Sequence, residues 1–166
     1  MAGPSDFALA ALALSVGRSL RCAGLTIATA ESCTGGLIAK CLTDIAGSSD
    51  YFDRGWVTYS NAAKHDELGV RLATLERHGA VSEAVALAMA RGALRKSPAR
   101  VSIAVTGIAG PVGGSADKPV GTVWIAWGLQ REAGIQVYAR LFRFRGGRNA
   151  IRRQAAVAAL EGLPSS

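Results

Sequence analysis

Apolar and polar positions switch between two periods along the chain, and the switches mark its elements. Phe7 to Cys22 keeps apolar residues at helical spacing and stops at Gly24, which predicts a first helix. Leu25 to Thr29 is short and mostly apolar, a first strand. Gly35 to Thr43 returns to helical spacing through Leu37, Ile38, Cys41 and Leu42. Gly47-Ser48-Ser49 breaks the chain, and Phe52 to Tyr59 reads as a second strand. Two short helices follow, Asn61 to Leu68 ending at Gly69 and Arg71 to Arg77. Ser82 opens a longer helix whose apolar positions are Val85, Ala86, Met89, Ala90 and Ala93. Val101 to Thr106 is a nearly unbroken apolar run, as in a strand buried on both faces. After the glycine-rich stretch Gly107 to Pro119, two strands are predicted, Val120 to Trp127 and Ile135 to Phe144. They form a hairpin around Gly134, and a last helix covers Asn149 to Leu160. Helices alternate with strands early and two strands adjoin late. That order predicts a three-layer α/β/α sandwich over a mixed, mostly parallel sheet, in one domain across residues 1–166.

Composition narrows the class without naming a function. With 166 residues, 49% hydrophobic and 19% charged, the chain can bury the core of a soluble globular protein. No apolar stretch is long enough to cross a bilayer. Phe7 to Leu14 is flanked by Asp6 and Arg18 with no basic region before it, so it is expected to be an amphipathic helix and not a signal peptide. A net charge of +7 suits nucleic acid or a small anion equally. The late arginines, Arg140, Arg143, Arg145, Arg148, Arg152 and Arg153, lack the aromatic interleaving of an RNA-binding strand. They read as a solvated face, and nucleic acid is not the expected partner. The cysteines, Cys22, Cys33 and Cys41, are odd in number and match no zinc spacing, and there are two histidines. Reduced thiols in a cytoplasmic protein without a metal is the expectation.

Three segments carry candidate chemistry, each at the end of a predicted strand. In Thr29-Ala30-Glu31-Ser32-Cys33-Thr34-Gly35-Gly36, strand, tight turn and helix place Ser32 at a helix entrance among unpaired N–H groups. Ser32 is then either an N-cap or a nucleophile with an oxyanion site beside it, near Thr34, Gly35 and Gly36. Cys33 could replace it, since a helix N-terminus favours a thiolate, but no histidine stands in a motif to serve it. Glu31 either orients these groups or complements the helix dipole. In Thr58-Tyr59-Ser60-Asn61-Ala62-Ala63-Lys64, a parallel sheet would bring Tyr59 and Lys64 to the edge that presents Ser32. A desolvated Lys64 is a general base and Tyr59 a relay; the alternatives are a solvated lysine and a core aromatic. Asn61 reads as the N-cap of its helix and, at the same strand end, as a candidate substrate-binding residue. Thr106-Gly107-Ile108-Ala109-Gly110-Pro111 opens a loop whose glycines allow close approach to an anion, or merely connect two strands. It has neither a Walker triplet nor dinucleotide-fingerprint spacing.

Together the stretches TIATAESCTGGLIAKCLTDIAGSSDYF, GWVTYSNAAKHDELGV, HGAVSEAVALAMARGA and AVTGIAGPVGGSADKPVGTVWIA resemble the CinA C-terminal-domain family, from about Leu25 to Ala126. The resemblance implies an α/β/α sandwich and, as in the family's amidohydrolases, conversion of nicotinamide mononucleotide and water to nicotinic acid mononucleotide and ammonia, without metal or cofactor. It maps the nucleophile onto Ser32 and further catalytic groups onto Tyr59 and Lys64. It maps a nucleotide-lining loop onto Thr106, Gly107, Ile108, Ala109 and Gly110. It implies a small nucleotide as partner, admits a homo-oligomer and suggests the family's stand-alone form. Arg54 and Val112 depart from the family pattern, where glycine and an acidic residue are common, and both bear on substrate preference. A non-catalytic nucleotide-binding or competence-linked regulatory domain, or an amidohydrolase for another small amide, remain the alternatives.

Overall fold

A computed structural model describes residues 3–163. Five strands form one sheet in the order β2-β1-β3-β4-β5. The strands are β1 (Ile27–Glu31), β2 (Phe52–Val57), β3 (Val101–Gly107), β4 (Thr122–Arg131) and β5 (Gly134–Arg143). β1 runs parallel to β2 and to β3, whereas β4 pairs antiparallel with β3 and β5 antiparallel with β4. Helices α1 (Asp6–Cys22), α2 (Leu37–Thr43) and α6 (Arg148–Glu161) cover one face. Helices α3 (Asn61–Leu68), α4 (Leu72–His78) and α5 (Glu83–Arg95) cover the other. The expected sandwich over a mixed sheet is the observed fold.

The two faces differ in the size of their side chains, and strand alternation is the cause. Ile27, Val101, Ile103, Val105, Val123, Ile125 and Trp127 point to the α1/α6 side. Ala28, Ala30, Ala104 and Ala126 point to the α5 side, where α5 answers with Ala86, Ala90 and Ala93. Small residues on both surfaces let α5 lie close to the sheet. At Gly92 an added Cβ would meet the Leu68 carbonyl oxygen at 2.1 Å, so only glycine fits where α5 meets the end of α3.

Several boundaries differ from the sequence expectation. β1 lies two residues later than Leu25 to Thr29, because pairing with both neighbours runs from Ile27 to Glu31 and draws Ala30 and Glu31 into the buried strand. The helix expected from Gly35 starts only at Leu37. β2 ends at Val57, two residues before Tyr59, where its pairing with β1 stops. β4 runs on to Arg131, as β5 pairs with it down to Gly134. No helix among the described residues is long and apolar enough to cross a membrane.

Candidate active site

Parallel pairing of β1 with β2 and β3 places three strand ends at one edge of the sheet, the position where ligands bind in open α/β sheets. The segments after these strands are the three that the sequence singled out. Around Ser32 the chain leaves the sheet by a backbone-defined turn. The Ser32 N–H donates to the Val105 carbonyl at 2.9 Å, extending the ladder by one bond. The Gly35 N–H then donates to the Ser32 carbonyl at 3.0 Å, and the Leu37 N–H to the Thr34 carbonyl at 3.2 Å. Gly35 (φ 59) and Gly36 (φ 88) supply the left-handed backbone that these turns need. Ser32 is therefore not a helix cap. Gly36 is the N-cap and has no side chain to give, so the Glu31 carboxylate caps α2 instead. It accepts from the Ile38 N–H at 3.1 Å and the Ala39 N–H at 2.8 Å.

The second segment brings a lysine to the serine. The Ser60 hydroxyl accepts from the Ala63 N–H and starts α3, so Lys64 lies one turn inside it. Lys64 is 1% exposed. Its Nζ lies 3.0 Å from Ser32 Oγ and donates to the Thr58 carbonyl at 2.7 Å. No carboxylate among the described residues comes within ion-pair distance of it. Burial without a counter-charge pushes the Lys64 ammonium below the ordinary lysine value. Cys33 is buried next to Ser32, and burial pushes its thiol up to about 12. A thiol so raised is a poor source of thiolate.

The third segment and two neighbours complete a cavity of about 270 Å³. Ser32, Cys33 and Lys64 line it together with Thr106, Gly107, Ile108, Ala109 and Gly110. Ala80 and Val81, from the α4–α5 connection, line it too. The Thr106 hydroxyl donates to the Ala80 carbonyl at 2.8 Å, which ties that connection to the end of β3. Arg148, the first residue of α6, donates to the Gly110 carbonyl at 2.7 Å and to the Tyr59 hydroxyl at 2.5 Å. It forms no ion pair within the described residues. A larger, largely apolar cleft of about 520 Å³ lies between α1 and the end of α6, where no nucleophile–base pair faces it.

Several expectations are corrected here. Tyr59 lines the cavity, but it is 57% exposed and its hydroxyl is held by Arg148, so it does not bridge Ser32 and Lys64, which meet directly. Asn61 is not the N-cap; Ser60 is, and Asn61 is an exposed first helical residue outside the cavity wall. The Gly35 N–H is occupied by the Ser32 carbonyl and is no oxyanion donor. The N–H groups of Cys33 and Thr34 find no acceptor among the described residues. Thr34, Gly35 and Gly36 shape the turn and do not line the cavity; the Thr34 carbonyl accepts from Arg152 at 2.7 Å. The arginine cluster is not one solvated face. Arg148 enters the cavity wall, Arg152 holds the turn, and Arg153 pairs with Asp6 at 2.7 Å. Arg54 bonds to Asp53 and to the Lys96 carbonyl, away from the cavity, whereas Val112 lines its rim. Among the described residues no cluster of histidine, cysteine or acidic side chains could hold a metal ion.

The family model for the CinA C-terminal domain matches residues 9–166. The chain belongs to that family. Among its relatives, nicotinamide-nucleotide amidohydrolase PncC of Escherichia coli K12 is 53% identical over 96% of this chain and 94% of that one. A CinA-like protein of Syntrophobacter fumaroxidans is 57% identical over 87% of this chain but only 33% of its own length. Among solved structures, the competence/damage inducible protein CihA of Agrobacterium tumefaciens superposes with a TM-score of 0.90 at 49% identity, over 98% and 96% of the two chains. A CinA superfamily protein of Klebsiella pneumoniae gives 0.88 at 40% identity, over 93% and 94%.

Proposed function

We propose that this CinA-family domain hydrolyses the carboxamide of nicotinamide mononucleotide, giving nicotinic acid mononucleotide and ammonia. The observation that carries the mechanism is the buried Lys64 amine, unpaired by any carboxylate among the described residues, 3.0 Å from the Ser32 hydroxyl. Relatives of matching length that bear the amidohydrolase name support the reaction class. Ser32 Oγ attacks the carboxamide carbon while neutral Lys64 takes the hydroxyl proton. The oxyanion forms beside the free N–H of Cys33, which lines the cavity. Collapse breaks the C–N bond, and the Lys64 ammonium returns its proton to the departing ammonia. Water then attacks the acyl-serine, again losing a proton to Lys64. That proton returns to Ser32 as the product leaves as its carboxylic acid, which then ionises to the carboxylate. The cationic pyridinium ring disfavours a second positive charge and so favours the neutral amine in the complex.

The phosphate is assigned to Arg148 and the backbone around Gly110. Arg148 already faces the cavity and has no acidic partner among the described residues. Arg148→Ala should therefore raise KM for nicotinamide mononucleotide by about 10- to 100-fold, the worth of one charged hydrogen bond, with a smaller change in kcat. Steady-state kinetics of ammonia release check this; a KM unchanged by the substitution removes Arg148 from substrate binding. The reaction itself is tested by incubating the purified protein with nicotinamide mononucleotide and measuring ammonia and nicotinic acid mononucleotide in equal amounts. Nicotinamide riboside, which lacks the phosphate, should be a much poorer substrate. A folded protein that releases no ammonia from the mononucleotide refutes the substrate assignment.

A further inference from the structure

Glu31 is buried to 0% exposure at the end of β1, directly before Ser32, yet it faces no cation within ion-pair distance among the described residues. Its carboxylate instead reaches across the turn to the Ile38 and Ala39 N–H groups, at 3.1 and 2.8 Å. An ionised carboxylate here is costly in the absence of a counter-charge, and apolar packing would be the cheaper way to fill the space. What the carboxylate does uniquely is span two donors of α2 while its own backbone stays in the sheet. The Glu31 carbonyl accepts from the Thr58 N–H at 2.8 Å, and its strand pairs with both β2 and β3. The turn Ser32 to Gly36 is thus clamped at both ends, by the sheet before it and by α2 behind it. The N–H groups of Cys33 and Thr34 lie within this clamped loop, and so does the Ser32 side chain that meets Lys64.

We propose that Glu31 is a positioning residue for the reaction. By bridging the start of α2 to the end of β1, its carboxylate holds Ser32 and the Cys33 N–H in the geometry that the transition state needs. It touches neither substrate nor reacting atoms. The inference rests on Ser32 being the nucleophile proposed above, and it adds a separate claim about what sets that serine's reactivity. Because the clamped groups act on charge that develops in the transition state, loosening them lowers kcat and leaves KM nearly unchanged.

Two variants separate reach from charge. Glu31→Gln keeps the shape but turns an amide NH₂ toward one of the two helix donors, so one bond is lost. Glu31→Asp keeps the charge but is one methylene too short to span both. Each is expected to lower kcat for ammonia release by about 10- to 100-fold, the effect of a small misplacement of reacting groups. KM should stay near the wild-type value and the circular dichroism spectrum should remain native. A fluorophosphonate probe, which labels an activated serine regardless of natural substrate, should label Ser32 more slowly by a similar factor in both variants. Equal labelling and equal kcat in Glu31→Gln and wild type would overturn the proposal. So would full rates in Glu31→Asp, which would reduce Glu31 to a helix-dipole charge. Losses that only track the fraction of unfolded protein would overturn it too. A wild type that labels at Ser32 but leaves nicotinamide mononucleotide intact would refute the substrate assignment alone, and the labelling rates would still decide the role of Glu31. Failure of wild-type Ser32 to label would refute the nucleophile and this inference together.

Discussion

Ser32→Ala is expected to lower the turnover of nicotinamide mononucleotide by about 10⁴- to 10⁶-fold, the scale on which serine hydrolases lose rate when the nucleophile is removed. Cys33→Ala should stay within the range of the wild type. The contrast follows from two side chains adjacent in sequence and unlike in chemistry. The Ser32 hydroxyl meets the Lys64 amine at 3.0 Å, whereas burial holds the Cys33 thiol up at about 12, where almost no thiolate exists at neutral pH. Ammonia release measured for both variants, with circular dichroism to show that each is folded, checks the prediction. Activity that survives Ser32→Ala and vanishes in Cys33→Ala would make the thiol the nucleophile. Ser32→Ala should also trap substrate without turnover, so equilibrium binding of the mononucleotide should persist while the chemistry stops.

What can be read from the chain ahead of its fold follows from the range over which each signal acts. Hydrophobic period exposes an element because core-facing side chains recur within it; α5 and β3 are visible for that reason. The convergence of Ser32, Lys64 and the Thr106 loop follows from one assumption, parallel pairing of β1 with β2 and β3, since parallel strands deliver their ends to one edge. Signals created by tertiary contact are invisible. Glu31 reads as a residue past the first strand that either orients its neighbours or complements the helix dipole, and only the return of α2 over the end of β1 gives its carboxylate two donors. Arg148 stands 89 residues from Tyr59 in a run of arginines that differ only in where α6 directs them. The error at Asn61 is one residue wide: Ser60 and Asn61 are both good caps, and only the backbone decides between them. The relay assigned to Tyr59 requires a gap between serine and lysine that the packing of α3 closes.

Lys64→Met should abolish turnover nearly as fully as loss of the serine, and its stability should change in a way that identifies the proton acceptor. As general base the lysine is worth about 10²- to 10⁴-fold, and more where it also returns the proton to the leaving group. Lys64→Arg should be equally inactive, because a guanidinium does not lose its proton in the accessible pH range. In the wild type, kcat/KM should rise with pH through an inflection below the ordinary lysine value, as burial disfavours the ammonium. Stability follows from the same shift. The unfolded chain keeps Lys64 protonated up to its ordinary value, while the folded protein releases that proton at lower pH. Between the two values the unfolded state holds more protons, so wild-type stability rises with pH across that window. The Lys64→Met side chain has no proton to bind, so the stability of this variant relative to wild type should be greatest below the window and should decline as pH rises through it. Urea unfolding of both proteins at several pH values, beside the pH–rate profile, measures the two effects. A stability difference that does not vary with pH, or a rate profile whose inflection lies at the ordinary lysine value, would mean that Lys64 carries its proton in the folded protein and cannot take one from Ser32.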